Sequence, residues 1–406
     1  MAGNLLIGQS GGPTAVINAS LAGAIQAAAE AAQIAHVYGA VNGILGVLNE
    51  DLVDLGQEDE HTLALLAGTP GAALGTSRFK LKQAHAERLL QVIRAHDIRY
   101  IAFIGGNDSM ETTHMISDMA RAAGYELLVM GIPKTVDNDL AHTDHCPGYG
   151  SAARFVAATV RDTGLDSAAS ALSTPVKIVE IMGRHAGWLT AAAALAREGV
   201  PDGAPHLIYL PERPVTLEQF LAEIEAAYRA RGWVVAAVSE GLRTPAGELL
   251  GTVSAATDAF GHRQLGGVSA ILAQQVSEKL GLKARFEKPD TMQRSSAALA
   301  SPVDRQEAFE AGQAAVRAMV RGLTGKMVTL EREPGLMYIC HTGLVDLSEV
   351  AGVERSLPDA YIAADGRDVT PAFLEYARPL IGGPLPPVAT LARRRVERRL
   401  PAWKHS

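Results

Sequence analysis

The chain has 406 residues, 48% of them hydrophobic, with 44 acidic against 37 basic side chains for a net charge of −7. At roughly 150 residues per domain this allows two to three domains with a sizeable core, and the 20% charged content argues against a disordered chain. The acidic balance disfavours a nucleic-acid binder, and no uninterrupted apolar run reaches the roughly 18 residues of a transmembrane helix. Two cysteines, Cys146 and Cys340, make no disulfide scaffold, so a cytosolic protein is the default. Residues 1–10 hold no Lys or Arg and lead straight into a Gly-rich stretch, unlike a signal peptide.

Short β-rich runs alternate with Ala-rich helical stretches along the chain, the pattern of a mostly parallel sheet covered by helices. Strands are expected at Leu5–Gln9, Tyr100–Gly105, Leu127–Pro133, Lys177–Met182, Leu207–Leu210 and Val234–Ser239. Helices are expected at 16–32, 82–96, 110–123, 150–163, 187–197 and 217–231, then 264–281 and 303–322. "KMVTLE" and "LMYICH" read as later strands, and "ARRRVERR" near the C-terminus as a short basic helix with a solvated face. Runs such as "YIAFIG" do not alternate, which suits strands buried on both faces.

In open α/β sheets, ligands bind beyond the carboxyl ends of the strands. Four polar or Gly-rich segments sit there: "GQSGGPTAV" at 8–16, "GGNDSM" at 105–110, "PKTVDND" at 133–139 and "MGRHAGW" at 182–188. Glycine lets backbone N–H groups approach an anion, and a following helix N-terminus adds favourable partial charge. Gly11, Gly12, Gly105 and Gly106 are therefore candidates to cradle phosphate, against the plainer reading of simple turns. Asp108, Asp137, Asp139 and Lys134 supply a general base, a cation and a metal-binding carboxylate, against the plainer reading of Asp108 or Ser109 as an N-cap. Neither a P-loop nor a G-x-G-x-x-G opening the first helix is present. Gly8-Gln9-Ser10-Gly11-Gly12 fits the hydrolase nucleophile elbow G-x-S-x-G, but only one strand precedes it, whereas that elbow stands in mid-sheet. "HTDHC" at 142–146 matches no strong zinc spacing.

Together the four loops resemble those of the phosphofructokinase family, in the family's order. "SEG" at 239–241 and "MQRS" at 292–295 resemble two further sugar-phosphate contacts. The resemblance spans roughly residues 5–300. It implies two Rossmann-like α/β domains with mostly parallel sheets and an active site in the cleft between them. The divisions expected are 1–140 for the phosphoryl donor, with part of 250–300; 141–250 for the sugar phosphate, with 300–325; and a C-terminal extension at 326–406. By matching positions, Asp137 is the general base for the 1-hydroxyl of fructose 6-phosphate. Thr135 and Val136 lie at the substrate, and Met182, Gly183, Arg184, Glu240, Thr291 and Arg294 hold the sugar phosphate. Gly11, Gly106 and Arg78 contact the phosphoryl donor, and Mg²⁺ sits near Asn107.

Two positions bear on the donor. The family's ATP-dependent members typically carry Gly where this chain has Asp108 and Lys134; Asp and Lys there mark the pyrophosphate-dependent branch. A carboxylate at Asp108 meets the α-phosphate of ATP, and like charges about 4 Å apart repel by about 4 kcal/mol at an effective dielectric near 20. Lys134 adds a point charge for a donor with no nucleoside. Leu21, Ile25 and Pro175 replace arginines of the bacterial ATP enzymes, two of them from the nucleotide effector site, so effector control is not expected. The resemblance thus implies a reversible, Mg²⁺-requiring, pyrophosphate-dependent phosphorylation of fructose 6-phosphate, by a homo-oligomer (dimer or tetramer), cytoplasmic, with no nucleic-acid or membrane partner. An ATP-dependent 6-phosphofructokinase and a catalytically silent regulatory subunit are the alternatives.

Overall fold

The computed structural model describes residues 1–250, 267–392 and 394–400. Among these, eleven strands form two sheets: β1 (Gly3–Gln9), β2 (Ile34–Ala40), β3 (Leu52–Asp54), β4 (Ile98–Gly105), β5 (Leu128–Pro133), β6 (Val176–Ile181), β7 (Leu207–Tyr209), β8 (Val234–Ser239), β9 (Ala284–Glu287), β10 (Lys326–Arg332) and β11 (Cys340–Asp346). The larger sheet runs β11-β10-β5-β4-β1-β2-β3, parallel except at its two edges, where β3 and β11 pair antiparallel with their neighbours. The smaller sheet runs β7-β8-β6-β9 and is parallel throughout. No helix of the described residues is long and apolar enough to cross a membrane.

Every residue of β1, β6 and β8 is buried, as their unbroken apolar runs require of strands covered on both faces. Leu5 and Ile7 of β1 turn to one face of the larger sheet and Leu6 to the other, each into its own apolar cluster. Helices Ile17–Ala29 and Pro302–Val320 cover the first face. They touch backbone to backbone: a Cβ on Gly23 would stand 2.0 Å from Phe309 O, and one on Gly312 2.0 Å from Ser20 O. Leu21 and Ile25 lie inside this cluster, 1% and 4% exposed.

The expected strands at 5–9, 100–105, 127–133, 177–182, 207–210 and 234–239 form within two residues of the expected ends, and the long helices form too, although the one expected at 150–163 runs six residues further, to Ala169. The sequence reading of 187–197 as one helix becomes Trp188–Ala191 followed by a tighter turn at Ala192–Arg197. The strand sought in "LMYICH" begins later, at Cys340. The described part of "ARRRVERR" forms no helix.

The chain crosses between the sheets more than once. Residues 284–287 pair with β6 in the smaller sheet. The helix at 302–320 lies on the larger sheet, because its Ala308, Ala311, Gly312 and Ala315 offer a narrow surface matching that of Ile17–Ala29. Residues 326–346 extend the larger sheet as β10 and β11.

Candidate active site

The larger sheet reverses its winding between β1 and β4, so two loops part there: Ser10–Gly12 after β1 and Gly106–Asp108 after β4. This is where a crevice opens in a doubly wound sheet. Gly106 precedes the helix Asn107–Ala122, and no side chain among the described residues caps it, leaving its first N–H groups for an anion. From β5 comes Lys134–Asp139. Lys134 is 3% exposed, and its Nζ donates to Gly12 O at 2.8 Å. A Cβ on Gly11 would press to 3.2 Å from that Nζ, and one on Gly12 would strike Arg294 Nη1 at 2.5 Å. The pair of glycines thus makes room for two cations.

The smaller sheet points its own carboxyl ends at the same place. Gly183 follows β6 with φ 118°, and a Cβ there would lie 2.6 Å from Ala186 O, so the "MGR" turn requires glycine. Its N–H donates to Glu240 Oε1 at 3.3 Å, and Ser239 Oγ donates to Gly183 O at 2.6 Å. Glu240 Oε1 also lies 3.8 Å from Arg184 Nε. The N–H of Met182 donates to Gln293 Oε1 at 3.1 Å. Thus "SEG" and "MQRS" brace the turn that carries Arg184, a physical reason for three motifs distant in sequence.

Between the sheets lies a cavity of about 480 Å³. Gly11, Arg78, Asp108, Lys134, Thr135 and Val136 line its larger-sheet side; Asp137, Met182, Arg184, Glu240, Thr291 and Arg294 complete it. An adjoining space of about 230 Å³ adds Gly106, Asn107 and Asp139. Burial, and then Arg294, push the Lys134 ammonium down to about 8, against the pull of Asp137 and Asp139. Burial pushes Asp137 up to about 8, helped by Asp139 and Glu240 and opposed by Lys134 and Arg184. Burial also raises the Asp139 and Glu240 carboxyls and lowers the Arg294 guanidinium. Here stands a carboxyl poised near neutrality, with cations on both sides and N–H groups at a helix start. The set is suited to moving a phosphoryl group between oxygens.

A family model described as phosphofructokinase matches residues 4–319. The chain belongs to the phosphofructokinase family. It is 45% identical to pyrophosphate–fructose 6-phosphate 1-phosphotransferase of Xanthomonas campestris pv. campestris (strain B100), over 99% of each chain. It is 42% identical to the protein of that name in Halomonas elongata, again over 99% of each. The crystal structure of pyrophosphate-dependent phosphofructokinase from Nitrosospira multiformis superposes over 100% of both chains, with a TM-score of 0.86 and 37% identity.

Of the residues assigned by resemblance to this phosphofructokinase site, all line the two spaces except Gly183, which stands just behind and anchors Glu240. The sequence reading missed Ser109, Asp290, His185 and Glu354, which also line them. His185 adjoins Arg184 and was within reach; Glu354 comes from a segment carrying no motif. Ser10, the elbow serine, faces the larger cavity, and among the described residues no histidine lines that cavity with it.

The site also fits a hard cation. Asn107 Oδ1 is buried with no hydrogen-bond partner among the described residues, and Asn107 Nδ2 lies 3.4 Å from Asp139 Oδ2. An unpartnered amide oxygen beside a carboxylate is the donor set Mg²⁺ accepts, with phosphate oxygens completing it. The "HTDHC" stretch makes a network of ion pairs. His145 is 1% exposed, with Nδ1 2.8 Å from Asp144 and Nε2 2.7 Å from Glu307. Burial alone would lower its pKa, but these two hydrogen bonds hold it up, at about 9.

Proposed function

We infer that the chain is a pyrophosphate–fructose 6-phosphate 1-phosphotransferase, transferring a phosphoryl group reversibly between pyrophosphate and the sugar's 1-hydroxyl. The observation that carries the donor assignment is the placement of Lys134 and Asp108 on one cavity wall. Beyond Asp108, a depression lined by Phe79, Lys80, Phe103 and Glu111 holds only about 20 Å³, too little for a nucleoside. Asp108 is exposed, so solvent screens it, and its repulsion of a phosphate about 4 Å away lies between about 1 and 4 kcal/mol.

In the forward direction Asp137 takes the proton from the 1-hydroxyl as that oxygen attacks the nearer phosphorus of pyrophosphate in line. The bond to the bridging oxygen breaks, and inorganic phosphate leaves. The Asp137 pKa near 8 suits a group that must accept a proton and later return it. Lys134, the glycine N–H groups and the start of the Asn107–Ala122 helix stabilise charge on the transferred group. Arg184 and Arg294 hold the sugar phosphate, with Glu240 fixing Arg184 and Gly183. Thr135 Oγ accepts the Asp137 N–H at 3.1 Å and shapes the turn. Mg²⁺, when bound, would be held by Asn107 and Asp139 and would neutralise pyrophosphate charge.

The same reading takes the protein as cytosolic and homo-oligomeric, a dimer or tetramer, without nucleotide effectors. Leu21 and Ile25, buried in the core, offer an effector nothing to bind. Steady-state assays with fructose 6-phosphate, Mg²⁺ and each donor in turn test the assignment. Efficient turnover with pyrophosphate and little with ATP is expected; the reverse overturns it.

A further inference from the structure

The family match ends at residue 319, yet residues beyond it grip the loop that carries Asp137. Arg355 Nη1 donates to Thr143 O at 2.6 Å and to Asp144 O at 2.9 Å, and Nη2 to Asn138 O at 2.9 Å. The Arg355 backbone N–H donates to Asp139 O at 2.7 Å. Four carbonyls of residues 138–144 therefore end on one residue. Its guanidinium lies 4.5 Å over Trp188, whose Nε1 donates to Arg355 O at 3.1 Å, tying the loop to the segment that follows Arg184. From the helix Pro371–Leu380, the Tyr376 hydroxyl accepts from Asn138 Nδ2 and donates to Asp144 O, both at 2.8 Å.

The grip falls where the backbone needs it. Asn138, between the two carboxylates, has φ 55°, a left-handed conformation uncommon outside glycine that Asn tolerates better than most residues and that fixed partners hold in place. Asn138 turns its Oδ1 to Cys146 N, its Nδ2 to Tyr376 and its carbonyl to Arg355. Asp137 immediately precedes this turn, so the direction of its carboxylate follows the turn's geometry.

We propose that Arg355 is a positioning residue of the phosphoryl-transfer site, holding the loop 137–144 so that the Asp137 carboxylate faces the acceptor hydroxyl. This rests on Asp137 being the base. The test uses the full-length chain as Arg355→Met, Arg355→Lys, Asp137→Asn and the Arg355→Met/Asp137→Asn double variant. Each is assayed for kcat, for KM of both substrates and for thermal unfolding. A base displaced by about 1 Å loses about a hundredfold in rate, so Arg355→Met should lose that in kcat with both KM values within about threefold. In the Asp137→Asn background the same change should cost less than about twofold, because Arg355 acts through Asp137. Arg355→Lys, unable to span the diverging carbonyls, should fall between wild type and Arg355→Met, and it carries the test should Arg355→Met fail to fold.

Wild-type kcat in both Arg355 variants, equal losses in the two backgrounds, or raised KM with unchanged kcat each overturn the proposal. Wild-type turnover in Asp137→Asn removes the base assignment and the proposal with it. An inactive Asp137→Asn beside fully active Arg355 variants removes the proposal alone.

Discussion

Lys134→Met should disable the enzyme and stabilise its fold. The ammonium is 3% exposed, and burial brings its pKa from the ordinary 10.5 to about 8. A lysine whose folded pKa lies below its unfolded value is penalised while charged. The penalty is complete below about pH 8 and disappears as the pH rises past 10.5. That drop of about 2.5, at about 1.4 kcal/mol per pH unit, is about 3 kcal/mol. Losing the hydrogen bond to Gly12 O returns about 1 kcal/mol, leaving about 2 kcal/mol of net stabilisation at pH 7. Catalysis moves the other way: one charge contact to the transferred group is typically worth about 3–4 kcal/mol, or roughly a hundred- to thousandfold in kcat. Steady-state kinetics and unfolding of the ligand-free protein at pH 7 and again near pH 10.5 read both effects. A variant within tenfold of wild-type turnover, or less stable at pH 7, would refute the reasoning.

The pH dependence of kcat/KM should be a narrow bell centred near 8, because Asp137 must be ionised and Lys134 protonated and both titrate there. Lys134→Arg should flatten the alkaline limb; an acid limb below pH 6 would contradict the base assignment. Asp137→Asn should lower kcat by about 10²–10⁴ while leaving KM for fructose 6-phosphate within a few fold; persistent turnover removes the mechanism. Asp108→Gly should improve the use of ATP by roughly five- to thousandfold, the range set by its screened repulsion; an unchanged preference would place the filter in the small depression instead. His145, raised from 6.5 to about 9, contributes stability that is full below pH 6.5 and lost as the pH rises through about 9. The gap in unfolding free energy between wild type and His145→Gln should close over that window; a constant gap refutes an imidazolium there.

The sheets were legible because β1, β4, β5, β6 and β8 are apolar runs bounded by Gly or Pro, and most of the site because every motif except "MQRS" follows such a strand directly. β2, β3 and β9 were not. β3 has three residues, while β9 alternates nothing and is mostly exposed, so neither carries a hydrophobic pattern. The helix Pro371–Leu380 also escaped: its buried Phe373, Tyr376, Ala377 and Leu380 lie amid prolines and glycines. The C-terminal contribution was illegible in a stronger sense. Arg355 and Glu354 act through carbonyls and a cavity built elsewhere in the chain, and no local spacing encodes such a contact. The expected helix start at 264 lies outside the described residues, which resume at 267; the described helix runs Val268–Leu280.

Phosphorus NMR of the purified protein with Mg²⁺, pyrophosphate and fructose 6-phosphate tests the central claim most directly. The pyrophosphate signal should decay as orthophosphate and a new C1 phosphoester rise in equal amounts, and adding fructose 1,6-bisphosphate with phosphate should regenerate pyrophosphate. Pyrophosphate left intact, with the phosphoester forming only in a parallel sample given ATP, or pyrophosphate split to orthophosphate with the sugar untouched, would contradict the account.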